Sequence, residues 1–149
     1  MVIQDFSSKI VFLDTAPLIY FIEGNSQYQN VLLDLFNFND NGGFLFITSS
    51  ITLLEVLVKP IKANEFYIAE QYKNVLMKAP GIKILDVTAS ISERAARLRA
   101  HYNLRTPDAI QCATSISAGA DYFFTNDRQL KNIPLIRAVT VGELEQYRF

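Results

Sequence analysis

The chain has 149 residues, half of them apolar, and a formal net charge of −1 at pH 7. This length and apolar content suit one domain over residues 1–149. The net charge neither requires nor excludes a nucleic-acid partner. The single cysteine excludes an internal disulfide and the single histidine excludes a histidine-rich metal site, so any chemistry must use carboxylates and hydroxyls. Apolar stretches too short to span a membrane, and an N-terminus without a signal-peptide pattern, lead us to expect a cytoplasmic protein.

The first part of the chain alternates strand-like and helix-like patterns. A buried strand is predicted at Lys9–Thr15, followed by a helix near Pro17–Glu23 and a second helix over Gln29–Phe38. The run NDNGG at 39–43 predicts a turn, and Phe44–Thr48 is typical of a second strand.

The middle of the chain predicts two helices and a strand. Ser49 or Ser50 can cap a helix whose apolar residues recur at helical spacing and form one stripe. The stripe comprises Leu53, Leu54, Leu57, Val58 and Ile61. A long helix is predicted over Ala63–Lys78, ended by Pro80, and a third strand over Ile82–Val87.

The last third repeats the alternation and completes the fold prediction. Thr88 or Ser90 caps a helix through His101, and Pro107 opens another helix at a first-turn position, which Gly119 ends. A short terminal helix follows two further strands, predicted at Asp121–Thr125 and Ile136–Val141. Strands that alternate with helices indicate a three-layer α/β/α sandwich with a mainly parallel sheet of about five strands.

Four acidic residues occupy positions suited to one shared site. Asp14 and Asp127 lie at the carboxyl ends of the first and fourth predicted strands, while Glu55 and Asp108 lie early in helices. Because ligands bind beyond the carboxyl ends of parallel strands, we expect all four on the same rim of the sheet. Clustered carboxylates require a hard cation such as Mg²⁺ or Mn²⁺, which indicates a metal-dependent hydrolase.

Each acid also has a purely structural explanation. Asp14 and Asp127 could cap the elements that follow them, and Asp108 could complement the dipole of its helix. Glu55 could form a four-apart ion pair with Lys59. The strand-end placement of two acids, each with an uncharged threonine beside it, favours a common site over four independent roles.

Basic residues cluster just before Asp108. They are Arg94, Arg97, Arg99, His101 and Arg105, with no acid among them. Such a run is either the solvated face of a helix or a stripe that steers phosphate towards the acids, and the sequence leaves both open.

The motifs that surround these acids resemble a known family. LDTAPLIYFIE and SSITLLEVL are weak signals alone, whereas TPDAIQCATSISAGADYFFTND is specific: an acid opens a small-residue helix, followed by Gly-Ala-Asp, a short aromatic strand and Thr-Asn-Asp. From about Lys9 to the C-terminus, the chain resembles the PIN-domain family, particularly the small VapC-like ribonucleases that act as toxins of bacterial toxin–antitoxin pairs.

The resemblance implies roles for individual residues. The metal-binding acids of the family match Asp14, Glu55, Asp108 and Asp127. Thr125 matches the hydroxyl residue near the metal, and Thr15 follows the first acid in the manner of the family. Many relatives carry a second acid two residues after the last one, where this chain has Gln129, which favours one metal ion over two. The resemblance further implies a sheet of about five strands, a homodimer and inhibition by a small antitoxin.

A metal-dependent endoribonuclease is therefore the leading interpretation, with Mg²⁺ or Mn²⁺ as cofactor and RNA as substrate. Candidates to hold the RNA backbone are Arg94, Arg97, Arg105 and Lys59. The alternative is a non-catalytic PIN-fold binding or scaffold module regulated by a partner protein. Two weaker alternatives are a phospho-receiver domain, which lacks its late strand-end lysine here, and a thiol enzyme that uses Cys112 with His101.

The first two predicted helices are more apolar than one core face requires. The residues concerned are Leu18, Ile19, Phe21, Leu32, Leu35, Phe36 and Phe38. They either pack in the interior or form a groove for self-association or for an antitoxin.

Overall fold

The computed structural model describes residues 1–146. Its strands are β1 (Ile10–Leu13), β2 (Leu45–Ser49), β3 (Ile82–Leu85), β4 (Tyr122–Thr125) and β5 (Ala138–Thr140). Its α-helices are α1 (Thr15–Glu23), α2 (Gln29–Asp40), α3 (Ser50–Lys62), α4 (Phe66–Lys78), α5 (Ala89–Tyr102), α6 (Thr106–Ser117) and α7 (Val141–Gln146), with 3₁₀ helices at Ile3–Phe6 and Arg128–Asn132. Within the described residues, no helix has the length and apolar character needed to cross a bilayer.

The five strands form one parallel sheet in the order β3-β2-β1-β4-β5. The chain extends the sheet from β1 in one direction through β2 and β3, and then in the other through β4 and β5. The strand order therefore reverses beside β1, and the crevice at the carboxyl ends of β1 and β4 is where such sheets bind ligands. Receiver domains have the order 2-1-3-4-5, so the topology excludes the receiver alternative.

Helices cover both faces of the sheet, which confirms the predicted three-layer α/β/α arrangement. On one face, Val11 and Leu13 of β1 contact a core that includes residues of α1, α2, α3 and α4. On the other face, Phe12 contacts a second core built with α5 and α6. Phe12 stacks on Phe123 of β4 at 4.9 Å between ring centroids, so the two central strands also hold each other through their side chains.

The element boundaries follow the local signals. The first strand ends at Leu13 rather than Thr15, because Asp14 caps α1. Ser49 caps α3 through the N–H of Ile51, and Thr88 caps α5 through the N–H of Ile91, in each case the first of the two residues predicted. The fourth helix begins at Phe66 rather than Ala63, because the chain turns between α3 and α4 at Asn64, whose φ is 55°.

The apolar stripe predicted for α3 does not act as one surface. Leu53 and Leu57 pack partly against the core, whereas Leu54, Val58 and Ile61 are exposed. The fully buried face of α3 instead carries Thr52, Val56 and Pro60. The side-chain hydroxyl of Thr52 makes buried hydrogen bonds to β2 and α6, and these polar contacts fix a rotation of the helix that apolar spacing does not reveal.

The apolar residues of α1 and α2 pack in the interior. Leu18, Leu32, Leu35 and Phe36 are buried, and the rings of Phe21 and Phe36 stack at 3.9 Å. Ile19, Phe21 and Phe38 are partly buried against the same core. Leu33 of α2 is exposed, but most of the exposed large apolar side chains among the described residues lie on α3 and α4. Those on α3 and α4 are Leu54, Val58, Ile61, Phe66, Tyr67 and Met77.

Candidate functional site

Asp14 lies at the point where the strand order reverses. Its N–H donates to the Phe124 carbonyl at 2.9 Å, so it extends the pairing of β1 with β4 by one residue. One carboxylate oxygen accepts the N–H of Thr15 at 2.9 Å and caps α1. The other accepts the hydroxyl of Thr125 at 2.7 Å. The carboxylate is thus held in one orientation at the carboxyl ends of both central strands.

Asp127 is linked to Asp14 through Thr125. The Thr125 hydroxyl is fully buried and accepts the N–H of Asp127 at 3.0 Å while it donates to Asp14. The Asp127 carboxylate accepts the N–H of Gln129 at 2.9 Å and so caps a 3₁₀ helix, as the structural explanation of this acid expected. Gln129 itself is exposed and contributes its backbone there.

Glu55 reaches the same rim from α3. Its carboxylate accepts the hydroxyl of Thr15 at 2.9 Å, so this threonine contacts Asp14 with its backbone and Glu55 with its side chain. Glu55 is otherwise exposed. Within residues 1–146, no ion pair joins Glu55 to Lys59, which was the structural alternative for this acid.

Asp108 lies in the first turn of α6 and pairs with a cation from its own helix start. Its carboxylate accepts the Nε–H of Arg105 at 3.1 Å; the Asp108 side chain is 20% exposed and the Arg105 side chain 81%. Elsewhere in the basic run, Arg97 pairs with Glu93, and Arg99 donates to the Leu104 carbonyl at 3.0 Å. These contacts hold Arg97 and Arg99 at the surface, and the Arg105 guanidinium lies beside Asp108.

The pKa of Asp14 shows that its neighbours act on it. This pKa is raised to about 6 from an ordinary 3.8: burial is the largest cause, the charges of Asp108 and Glu55 contribute to the rise, and the hydrogen bonds from Thr125 and Thr15 oppose it. A simple exposed helix cap would show none of this burial effect. Three of the four predicted acids therefore share one electrostatic environment.

Cys112 lies one helical turn after Asp108, and the charges of the acids also act on the pKa of its thiol. The pKa of its thiol is raised to about 12, mainly by burial and in part by the charges of Asp14, Asp108 and Asp127. The thiol is buried and stays protonated at neutral pH, whereas His101 is exposed and contacts the ring of Tyr102. A buried, protonated thiol is no nucleophile, which argues against the thiol-enzyme alternative.

The four acids suit a divalent cation in their chemistry but do not yet surround one point. Carboxylate oxygens are the ligands that Mg²⁺ and Mn²⁺ prefer. In the described part of the chain, however, no three acidic, histidine or cysteine side chains stand close enough to hold an ion together. Glu55 is turned towards Thr15 and Asp108 towards Arg105. Joint coordination would need these two exposed or part-exposed side chains to rotate.

Comparison with known proteins identifies the family. The PIN-domain family model matches residues 11–135, which contain all four acids. The chain belongs to the PIN-domain family. This confirms the family expected from the motifs. No curated protein matches the chain by sequence.

Solved structures of other PIN proteins share the fold. VapBC2 from Rickettsia felis, bound to a promoter DNA fragment, is 18% identical, with 88% of this chain and 98% of that chain covered and a TM-score of 0.71. A toxin–antitoxin complex from Klebsiella pneumoniae is 24% identical over 89% and 97%, with a TM-score of 0.65. VapC20 from Mycobacterium tuberculosis, a sarcin–ricin loop cleaving toxin, is 16% identical over 85% and 98%, with a TM-score of 0.66. At these identities the likeness supports the fold of this PIN domain.

The sequence did not single out one polar pair at the rim. The Asn126 amide donates to the Tyr20 hydroxyl at 2.9 Å and so ties the Thr-Asn-Asp segment to α1. The position of Asn126 between Thr125 and Asp127 was the sequence signal that could have marked it as a residue of the site. Asp121 lies at the amino ends of β1 and β4, at the opposite end of the strands from the four acids. Its carboxylate accepts the N–H of Ile10 at 2.8 Å, in agreement with its predicted role at the start of a strand.

Proposed function

We propose that this PIN domain, spanning residues 1–149, is a metal-dependent endoribonuclease that hydrolyses RNA phosphodiester bonds. The observation that supports it most is the desolvated Asp14 carboxylate at the reversal of strand order, with a pKa raised to about 6 by burial and by two neighbouring acids. A structure that keeps a buried carboxylate beside other negative charges gains most from a bound cation.

Asp14, Glu55, Asp108 and Asp127 are the residues that we propose hold Mg²⁺ or Mn²⁺. A divalent ion bound there would polarise a phosphodiester and lower the pKa of a water molecule. The family match supports this proposal, and so does the electrostatic effect of Asp108 and Glu55 on Asp14.

Thr15 and Thr125 prepare Asp14 for this role. Their hydrogen bonds favour the ionised carboxylate and limit the rise of its pKa to about 6. At pH 7 a carboxyl group with that pKa is about nine-tenths ionised, so Asp14 remains able to bind a cation. Fixing both of its oxygens also reduces the freedom that cation binding would otherwise have to remove.

Arg105 is the basic residue best placed to contact the RNA backbone. Its guanidinium donates one N–H to Asp108, and its other N–H donors remain exposed at the rim. Guanidinium groups bind phosphate oxygens in pairs, and release of Asp108 to a cation would free Arg105 for a phosphate. Single-stranded or looped RNA suits this open rim better than a duplex, because its backbone can bend towards the acids.

We propose that the protein is the toxin of a type II toxin–antitoxin pair, works in the cytoplasm, forms a homodimer and is inhibited by a small antitoxin. The support comes from similar folds solved as toxin–antitoxin complexes and from the exposed apolar side chains on α3 and α4, which provide a surface that a protein partner can cover.

Cleavage of single-stranded RNA by the purified protein tests the activity. We expect cleavage with Mn²⁺ or Mg²⁺, none with EDTA, and at least a hundredfold loss in Asp14→Asn, on the order expected when a central metal ligand is lost. Asp121→Asn is the matched control, since this aspartate lies at the opposite end of the strands, and it should cleave at the wild-type rate. Equal cleavage by Asp14→Asn would contradict the proposed site.

The alternative function is a non-catalytic scaffold regulated by a partner. One observation favours it: among the described side chains, no three potential ligands gather closely enough to share an ion. A wild-type protein that binds no divalent cation and cleaves no RNA, with or without EDTA, would support this alternative.

A further inference from the structure

A chain of buried polar side chains lies directly beneath the acids. The hydroxyl of Ser49 donates to the side-chain carbonyl of Gln111, and the Gln111 amide donates to the Thr52 hydroxyl at 2.7 Å. The hydroxyl oxygens of Thr52 and Thr48 lie 2.8 Å apart, and Thr48 donates to the Leu13 carbonyl at 2.7 Å. We call these four side chains and the Leu13 carbonyl the buried relay.

The buried relay has one consistent arrangement of protons. Its four side chains are between 0% and 1% exposed, so water cannot replace a missing partner. The single hydroxyl proton of Thr48 must go to the Leu13 carbonyl, which can only accept. The proton between the two threonines therefore comes from Thr52, whose oxygen accepts from the Gln111 amide. Loss of any member leaves a buried donor or acceptor without a partner.

The relay joins the three elements that carry Asp14, Glu55 and Asp108. In α6, Gln111 lies one turn after Asp108, and in α3, Thr52 lies one turn before Glu55. At the other end, the accepting carbonyl belongs to the residue immediately before Asp14 in the chain. Asp108 and Glu55 are thus each about one helical turn from a side chain of the relay, and Asp14 is one residue from the carbonyl that the relay contacts.

We propose that the buried relay sets the spacing of these three carboxylates, and that Gln111 and Thr52 are positioning residues for the cation. This inference rests on the proposed function. Apolar packing between α3 and α6 would tolerate small sliding movements, whereas this buried hydrogen-bond chain favours one register of the two helices against β1, because sliding would break its bonds. A need to fix the distances between the Asp14, Glu55 and Asp108 carboxylates explains why a polar chain lies here in an otherwise apolar core.

Thr52 is the best position for the test because it contacts both neighbours in the relay. Thr52→Val keeps the shape of the side chain and removes the hydroxyl, and Thr52→Ser keeps the hydroxyl. We expect the Kd for Mn²⁺, measured by electron paramagnetic resonance on the whole protein, to rise about tenfold in Thr52→Val, because residues that orient metal ligands typically matter by that amount. Thr52→Ser should stay within about twofold of the wild type.

Asn39 provides a matched control for general loosening. It is 2% exposed, and its amide donates to the Phe44 and Gly81 carbonyls at the opposite edge of the sheet. Asn39→Leu therefore breaks a comparable buried polar contact far from the acids. We expect a lower melting temperature with a wild-type Kd for Mn²⁺.

The outcomes separate the inference from the function on which it rests. Wild-type Mn²⁺ affinity in Thr52→Val would overturn the positioning role, and so would an equal loss of affinity in Asn39→Leu, since both would mean that the relay only stabilises the fold. A wild-type protein that binds no Mn²⁺ would overturn the proposed function itself. Weak binding in Thr52→Val with recovery in Thr52→Ser would support the inference.

Discussion

Replacing Asp14 by asparagine should stabilise the metal-free protein at neutral pH. The pKa of Asp14 is about 6 in the folded protein against an ordinary 3.8, and burial is the main cause. A folded state that holds the proton more tightly than the unfolded state is penalised when the carboxylate ionises. The penalty is absent below about pH 3.8, grows as the pH rises towards 6, and is fully present above that value.

The size of the effect follows from the two pKa values. Their difference corresponds to about 3 kcal/mol of unfolding free energy, an upper value because the side chain is partly exposed. Asparagine has one carbonyl oxygen and cannot accept from both Thr15 and Thr125 as the carboxylate does, which costs about 1 kcal/mol at every pH. We therefore expect a net gain of about 2 kcal/mol, or about 4–8 °C in melting temperature for a chain of this length.

Chemical denaturation in EDTA at about pH 7.5 and pH 4 measures this gain. Asp14→Asn should be more stable than the wild type at pH 7.5, and the gain should vanish at pH 4, where the wild-type carboxyl is protonated. Asp121→Asn, at the opposite end of the strands, should show no such pH-dependent gain. An unchanged or lower stability of Asp14→Asn at pH 7.5 would refute the penalty that burial and the neighbouring acids place on this carboxylate.

Three further substitutions probe other contacts. Thr15→Val removes the hydroxyl that holds Glu55; we expect several-fold weaker Mn²⁺ binding by calorimetry and a stability change below about 1 kcal/mol, because that carboxylate is exposed. Arg105→Ala should raise the KM for RNA about tenfold and leave the melting temperature nearly unchanged, since an exposed pair with Asp108 adds little stability. Gly81→Ala should cost about 2–4 kcal/mol in urea denaturation, because its Cβ would displace the buried asparagine amide packed on it, with activity per folded molecule retained. Wild-type Mn²⁺ affinity in Thr15→Val, a wild-type KM in Arg105→Ala, or a wild-type urea midpoint in Gly81→Ala would contradict the corresponding expectation.

Much of the fold could be predicted because its signals are local. Ser49 and Thr88 are caps whose oxygens bond to N–H groups two or three residues away, and short apolar runs bounded by turns mark the strands. The strand-end position of Asp14 followed from the same reasoning, and the structure places Asp14 directly after β1. These features need no knowledge of distant contacts.

Other features depend on contacts between distant residues, and the sequence could not reveal them. The rotation of α3 is set by Thr52, whose partner Gln111 is 59 residues away. The partner of Glu55 is Thr15, 40 residues away, although Lys59 on the same helix was the simpler expectation. In both cases a tertiary hydrogen bond prevails over helical spacing, which carries information about one helix only.

We propose that Asp14, Glu55, Asp108 and Asp127 share one divalent cation. X-ray diffraction from crystals grown with Mn²⁺, collected at the manganese absorption edge, tests it directly. We predict a single anomalous peak within coordination distance of carboxylate oxygens from Asp14 and at least two of the other three acids, with Glu55 or Asp108 turned away from its present partner. No peak at this rim at saturating Mn²⁺, or a peak bound only by other residues, would contradict it.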